Sequence, residues 1–97
     1  MSHLNCKDFT ISLHALKAML RRSISVDEVV EVANNGEIIA EYLNDKPHPS
    51  FLILQYINGR PIHIVIAKES ETANCIVVTC YHPNPGLWDV TFTKKIK

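Results

Sequence analysis

The sequence contains side chains suited to general acid–base catalysis: His63, Tyr81, Tyr56 and His14, with Arg22 or Arg60 as a charged partner. Cleavage of RNA through its 2′-hydroxyl needs only such groups. A base removes the 2′ proton, a cation stabilises the phosphorane, and an acid protonates the leaving 5′ oxygen. Histidine is the natural base near neutral pH. A second interpretation stays open, in which His63 is hydrogen-bonded inside a half-buried sheet, and the residue types alone favour that structural role.

Metal and nucleophile chemistry find little support in the residue spacing. The 5 histidines lack the i, i+4 spacing and the Cys/His spacing of zinc sites, and neither a glycine-rich phosphate loop nor HExxH occurs. A metal held by His14 and His63 would need a third ligand that the sequence does not nominate. The cysteines have no obvious basic activator. We therefore predict no metal site and no cofactor.

The element that positions His63 is a predicted β-hairpin over residues 51–68, with Asn58-Gly59 as its two-residue turn. Asn-Gly between apolar runs favours a type I′ turn, in which both central residues have positive φ. One face of the hairpin is almost wholly apolar and should lie on the core, while the other carries His63 and Tyr56 and should floor a half-open groove. The predicted register pairs Ile57 with Arg60, Gln55 with Ile62, Ile53 with Ile64, and Phe51 with Ile66.

Two amphipathic helices are predicted before the hairpin. The first is capped by Ser12 and runs to about Arg22. The second follows a capping box at residues 25–28 and ends at Gly36, which suits a left-handed position after a helix. His14 lies opposite the first apolar stripe beside Lys17, in a row that is either solvated charge or a phosphate-binding surface. The stripes expected to face the core are Leu13, Leu16, Met19 and Leu20, then Val26, Val29, Val30 and Ala33.

Strands are also predicted over residues 37–42 and 74–81, with a short one at 9–11. If Ile76, Val78 and Cys80 face the core, Tyr81 shares the sheet face of His63. Trp88 should anchor residues 87–92, which form either an edge strand or a packed tail. Helices before strands indicate an α+β fold, with two N-terminal helices packed on one face of a mostly antiparallel sheet of four or more strands.

Length and composition indicate one domain over residues 1–97, with a core at about 9–93 and loose ends at 1–7 and 94–97. The formal net charge is zero, whereas a general polyanion binder would be more basic. No apolar run approaches the roughly 20 residues of a membrane span, and no signal peptide is visible. Cys6, Cys75 and Cys80 lack a CxxC spacing, so we expect buried or free thiols in a reducing cytoplasm.

Several short blocks follow one another along the chain: Ser12-Leu13-His14-Ala15, Met19, Arg22, Ile24-Ser25, Gly36-Glu37-Ile38-Ile39, the segment 59–65 and Thr79-Cys80-Tyr81-His82-Pro83. Together these blocks resemble a small prokaryotic family catalogued as domain of unknown function 4258. Two positions differ from its pattern: Ala18 stands where an arginine often precedes the methionine, and Ser23 where glycine is usual. Trp88 resembles the family's tryptophan after its proline-containing segment.

This resemblance implies a fold related to toxins of the RelE and BrnT kind, several of which are ribonucleases. We therefore predict a metal-independent endoribonuclease toxin, with RNA as its substrate and an antitoxin-like protein as its partner. The alternative is a non-catalytic protein- or ligand-binding module that uses the open sheet face. The predicted catalytic residues are His63, Tyr81 and His14, and the predicted substrate-binding residues are Arg22, Arg60, Tyr56 and Lys17.

Overall fold

The computed structural model describes residues 4–96, which form two helices and a five-stranded mixed sheet. The strand order is β1-β5-β4-β3-β2; β1 runs parallel to β5, and the other neighbours are antiparallel. The α+β class is confirmed, but the helices do not begin the chain, because β1 precedes them. The elements are β1 (Asp8–Ile11), α1 (Leu13–Arg22), α2 (Val26–Asn35), β2 (Glu37–Tyr42), β3 (Ser50–Ile57), β4 (Arg60–Lys68) and β5 (Asn74–Tyr81).

The hairpin β3–β4 has the predicted turn and register. Asn58 and Gly59 have φ of 52° and 80°, as a type I′ turn requires. All four predicted cross-strand pairs are present, including Ile53 with Ile64. The side chains of Ile62, Ile64 and Ile66 are fully buried in one core cluster with residues of both helices. Gln55, the polar residue on this face, donates to the Glu31 carboxylate on α2 at 3.0 Å.

Helix α1 packs on the sheet through small side chains, and its predicted apolar stripe is wrong except for Met19. Ala15, Ala18 and Met19 are buried, whereas the three leucines of the helix are exposed. The way in which the helix begins explains why this face, and not the leucine face, is buried. Ser12 donates its backbone N–H to Val77 and its hydroxyl to Val78, so α1 begins directly on β5. At that close approach, alanine fits against the strand where leucine would not.

Helix α2 begins with the predicted capping box and ends differently from the prediction. Ser25 and Glu28 exchange side-chain and backbone hydrogen bonds of 2.8 and 3.1 Å. Gly36 has an extended backbone with φ −73°, so its left-handed prediction is wrong. Glycine is needed there for space, because a Cβ would lie 2.5 Å from the side chain of Ile53. Of the residues predicted to face the core, Val29 and Ala33 are buried but Val26 is exposed. Val32, which was not predicted to face the core, is buried as well.

A β-bulge in the β4–β5 pairing changes which β5 residues face the core. Val65 pairs with Thr79 but the next residue, Ile66, pairs with Val77, so Val78 is the extra residue. Cys80 therefore faces the core as predicted, together with Cys75 and Val77. The prediction that Ile76 and Val78 also face the core is wrong. We call the opposite sheet face, which carries His63, Val65, Ala67, Ile76, Thr79 and Tyr81, the outer face.

A disulfide joins Cys6 to Cys75, so two of the three predicted free thiols are wrong; Cys80 is free and buried. The sequence spacing could not indicate this bond, because it depends on the parallel pairing of β1 with β5 over 60 residues away. Because disulfides are rare in reducing compartments, the cysteines no longer indicate a reducing cytoplasm. Leu4 is buried, and its carbonyl accepts from the Lys68 ammonium. Residues 4–7, predicted to be loose, are thus held on the sheet; residues 1–3 and 97 lie outside the described residues.

The C-terminal segment, residues 82–96, packs on the outer face instead of adding a strand to the sheet. Trp88 is buried and anchors it, as predicted, and Lys95 lies over the Trp88 ring at 5.8 Å. A turn closed by Asp89 shapes the segment. The Asp89 carboxylate accepts from the Thr91 and Thr93 amides, and the Asp89 amide donates to the Lys94 carbonyl. Of the two alternatives for residues 87–92, the packed tail is the one observed.

Candidate functional site

The predicted catalytic residues His63 and Tyr81 do meet, on neighbouring positions of β4 and β5. His63 Nε2 lies 2.8 Å from the carbonyl oxygen of Phe92, and Nδ1 lies 3.2 Å from the Tyr81 hydroxyl. A carbonyl can only accept, so Nε2 carries the proton and donates it, and Nδ1 accepts from Tyr81. The Trp88 ring stands edge-on to the imidazole, with centroids 4.5 Å apart. Every polar atom of the imidazole is thus satisfied within the protein.

Burial decides what this cluster can do. The His63 side chain is 0% exposed. Burial lowers the pKa of His63 below its usual 6.5, and the hydrogen bond to Phe92 opposes this only in part. Burial also raises the pKa of Tyr81. The pair is therefore neutral near pH 7, and its evident action is to hold the C-terminal segment on the outer face.

The remaining predicted site residues do not gather around His63. His14, Lys17 and Arg22 are exposed on α1, which packs against the core side of β5. The positive charge of Arg22 acts on the buried Cys80 thiol, where it opposes the larger effect of burial, which raises the thiol's pKa. Arg22 and His63 thus lie on opposite faces of the sheet. Tyr56 is on the outer face and contacts the Phe92 ring edge-on at 6.3 Å.

Arg60 forms a pair that the sequence reasoning missed. Its guanidinium donates to His82 Nε2 at 2.9 Å, while His82 Nδ1 donates to the Pro61 carbonyl at 3.1 Å. The pair borders a cleft of about 50 Å³ between the hairpin turn and the junction of the two helices. The sequence did contain a signal for this pair, because His82 directly follows β5 and Arg60 begins the neighbouring strand β4.

A second cavity lies on the outer face and has a volume of about 260 Å³. Its floor consists of Val65 and Ala67 on β4 and Ile76 and Val78 on β5. The bulge at Val78 makes this floor, because it turns Ile76 and Val78 away from the core. We call this cavity the sheet-face pocket; its rim consists of Asp45, Lys46, Pro47, His48 and Ser50.

The rim is held by polar contacts of the β2–β3 loop. Ser50 is buried and donates its hydroxyl to the Asp45 carboxylate at 2.5 Å, which ties the loop to the start of β3. His48 Nε2 lies 3.7 Å from a Glu69 carboxylate oxygen, so the loop also reaches the β4–β5 turn. In sequence, the segment 43–49 is a polar loop with two prolines. The pocket could not be predicted from the sequence, because Ile76 and Val78 form its floor only as a result of the bulge.

Metal sites and membrane-spanning helices are both missing from residues 4–96. No group of three or more His, Cys, Asp or Glu side chains in this range could hold a metal ion. Likewise, neither helix is long and apolar enough to cross a membrane.

The fold and these sites define a small α+β domain with one mixed sheet, of which the outer face is partly covered by the C-terminal segment and partly open. The chain belongs to the family described as domain of unknown function 4258 (DUF4258), whose model matches residues 11–82. The match covers both helices and strands β2 to β5, and it confirms the family resemblance seen in the sequence blocks. No curated protein and no solved structure is significantly similar to the chain.

Proposed function

We propose that the protein is a non-catalytic binding module that holds a small, largely apolar ligand in the sheet-face pocket. The observation that carries this proposal is the apolar floor on β4 and β5 beneath a polar rim. Ligand pockets combine an apolar lining with a few placed polar groups in this way. The open sheet face is also the surface that the sequence nominated for binding.

The size and charge of the pocket indicate the class of ligand. Its 260 Å³ lies just below the volumes typical of drug-sized ligands, so it suits a compact ring or a short alkyl chain. Asp45 is engaged by Ser50, and His48 lies beside Glu69, which leaves the Lys46 ammonium as the uncommitted charge of the rim. An apolar body with one hydrogen-bond acceptor or carboxylate fits this arrangement.

The test is an NMR titration of the ¹⁵N-labelled protein with indole, cyclohexanol and benzoate. We expect saturable amide shifts confined to residues 45–50, 65–67 and 76–78, with dissociation constants on the order of 0.1–1 mM for probes this small. Benzoate should bind more tightly than cyclohexanol because it can pair with Lys46.

The matched variants fill space inside and outside the pocket. Ala67→Phe should abolish the shifts by filling the floor, whereas Val90→Phe, at a position 91% exposed on the C-terminal segment, should leave them unchanged. Thermal melts of both variants check that they fold. Shifts that map elsewhere, or that survive Ala67→Phe, would refute the pocket as the binding site.

A second candidate is a metal-independent ribonuclease of the RelE/BrnT kind, with RNA as substrate and an antitoxin-like partner. The observation that favours it is the Arg60–His82 pair, since a guanidinium suits phosphate and a neighbouring imidazole suits proton transfer. In this candidate the chemistry lies at Arg60 and His82, because the imidazole of His63 has no exposed surface.

Incubation of the purified protein with structured and unstructured RNAs, free and on ribosomes, tests this candidate. If it is right, His82→Ala should slow cleavage by roughly 10²–10⁴-fold, and Arg60→Ala should weaken it as well. Lys94→Ala serves as a surface-charge control. No cleavage by the wild type would leave the binding module as the function.

A further inference from the structure

Helix α1 exposes a row of leucines that takes no part in the core. Leu13, Leu16 and Leu20 are 68%, 43% and 75% exposed. At about 100° per residue, they occupy an arc of roughly 60° on the helix surface. This row, which we call the leucine stripe, points well away from the side on which Ala15 and Ala18 contact the sheet. The spacing i, i+3, i+7 is that of a helix–helix seam.

One side of the leucine stripe is uniformly basic. Lys17 and Arg21 follow the stripe by one helical position each, and His14 lies beyond them. Helix α1 contains no acidic residue that would neutralise them. The helix therefore presents an apolar row with a parallel positive row beside it, although the chain as a whole has no net charge.

We propose that the leucine stripe is a docking surface for an amphipathic helix of a partner protein that carries an apolar row flanked by acidic residues. Apolar burial between two helical rows supplies the affinity, and opposite charges beside the rows select the partner and its orientation. The proposal is independent of the sheet-face pocket, because α1 packs on the other face of the sheet.

Two other occupants fit the surface less well. A second copy related by two-fold symmetry would bring the two Lys17 ammonium groups together near the centre of the contact, which is repulsive. The acidic residues of α2 do not offer a complementary row, since Glu28 is held in the capping box and Glu31 binds Gln55, and Asp27 by itself does not make a row. A membrane surface favours a wider apolar arc, of about 100° or more.

The experiment titrates the ¹⁵N-labelled full chain with two synthetic helical peptides. Both carry the same leucine row, flanked by glutamates in one peptide and by lysines in the other. We expect amide shifts confined to α1 and binding of the glutamate peptide about tenfold tighter than of the lysine peptide. The Lys17→Glu/Arg21→Glu variant should reverse this preference, which a change in stability alone would not do.

Matched variants test the apolar row itself. Leu16→Ser/Leu20→Ser should lower the affinity for the glutamate peptide about tenfold or more. Leu87→Ser, at a leucine 50% exposed on the C-terminal segment, should leave this affinity unchanged. Thermal melts check that each variant folds. The proposal is overturned by equal affinity for both peptides, by shifts outside α1, by binding to phosphatidylglycerol vesicles in place of the peptide, or by dimerisation of the protein alone.

Discussion

The His63 imidazole joins the tail to the sheet. It donates to the Phe92 carbonyl and accepts from the Tyr81 hydroxyl, and Trp88 closes over it. The Asp89 turn brings the Phe92 carbonyl to this place, with Phe92 itself at φ 57°. A protonated imidazole would have to donate at Nδ1 as well, which opposes the Tyr81 hydrogen bond unless the hydroxyl turns to accept.

This arrangement predicts a pH-dependent stability. Folding lowers the pKa of His63 below 6.5, so the unfolded chain takes up the proton more readily. The contribution of His63 is therefore complete above about pH 7 and is lost as the pH falls from 6.5 through the lower pKa of the folded state. In that window the free energy of unfolding should fall by up to about 1.4 kcal/mol per pH unit from this residue.

Urea denaturation of the wild type and His63→Gln between pH 5 and 8 measures this effect. The variant should be less stable at pH 8 and should lose less stability on acidification. His14→Gln, at an exposed position on α1, should follow the wild-type curve. Parallel pH curves for the wild type and His63→Gln would contradict the neutral, buried state of His63.

At the scale of the elements, the turn and the capping box follow from local signals, whereas the conformation of Gly36 and the buried face of α1 do not. Asn58-Gly59 and the Ser25–Glu28 box depend on the backbone nearby, so the sequence predicted them. In α1 the pattern favoured the large leucines, but the helix lies so close to β5 that the alanines face the sheet. Nothing local to the helix indicates that distance. The leucines of α1 that were predicted to face the core are the ones that the helix exposes.

The end of α1 gives a testable stability prediction at Ser23. This residue has φ 55° and ψ 44°, the left-handed conformation, in which a side chain is strained. Glycine, usual at this position in the family pattern, adopts it freely. Ser23→Gly should therefore raise the free energy of unfolding by roughly 0.5–1 kcal/mol, after glycine's own entropy cost.

Thermal or urea unfolding of Ser23→Gly measures this gain. Ser70→Gly is the matched control, because Ser70 does not have a positive φ; it should be neutral or slightly destabilising. A Ser23→Gly variant less stable than the wild type would mean that the serine side chain contributes more there than its strain costs.

At the scale of the molecule, the class of fold followed from the order of elements, but three long-range features did not. The parallel pairing of β1 with β5, the bulge at Val78 and the disulfide all depend on residues far apart in the chain. The bulge matters most for the candidate sites, since it floors the sheet-face pocket. Arg22 was predicted as a charged partner of His63, but α1 packs on the core side of the sheet, opposite the face that carries His63.

The Cys6–Cys75 disulfide predicts a large dependence of stability on redox conditions. It closes a loop of 69 residues, which in the chain-entropy treatment corresponds to about 4 kcal/mol of stabilisation. Urea unfolding with and without a thiol reductant should show a loss of this order for the wild type. Cys6→Ser should start at the lower stability and not respond to the reductant. An equal response of both proteins would rule out the bond.

The same bond gives the molecule an unusual response to tension. It encloses both helices, β2 and the hairpin in one covalent ring. If the two ends of the oxidised chain were pulled apart, force would pass from Cys6 directly to Cys75 and bypass the ring. The bridged segment, with a sequence separation of 69, would withhold roughly 230–250 Å of contour length. Only the rest of β5, the Trp88 anchor and the tail would peel away, and no covalent tension would pass along the helices or the hairpin.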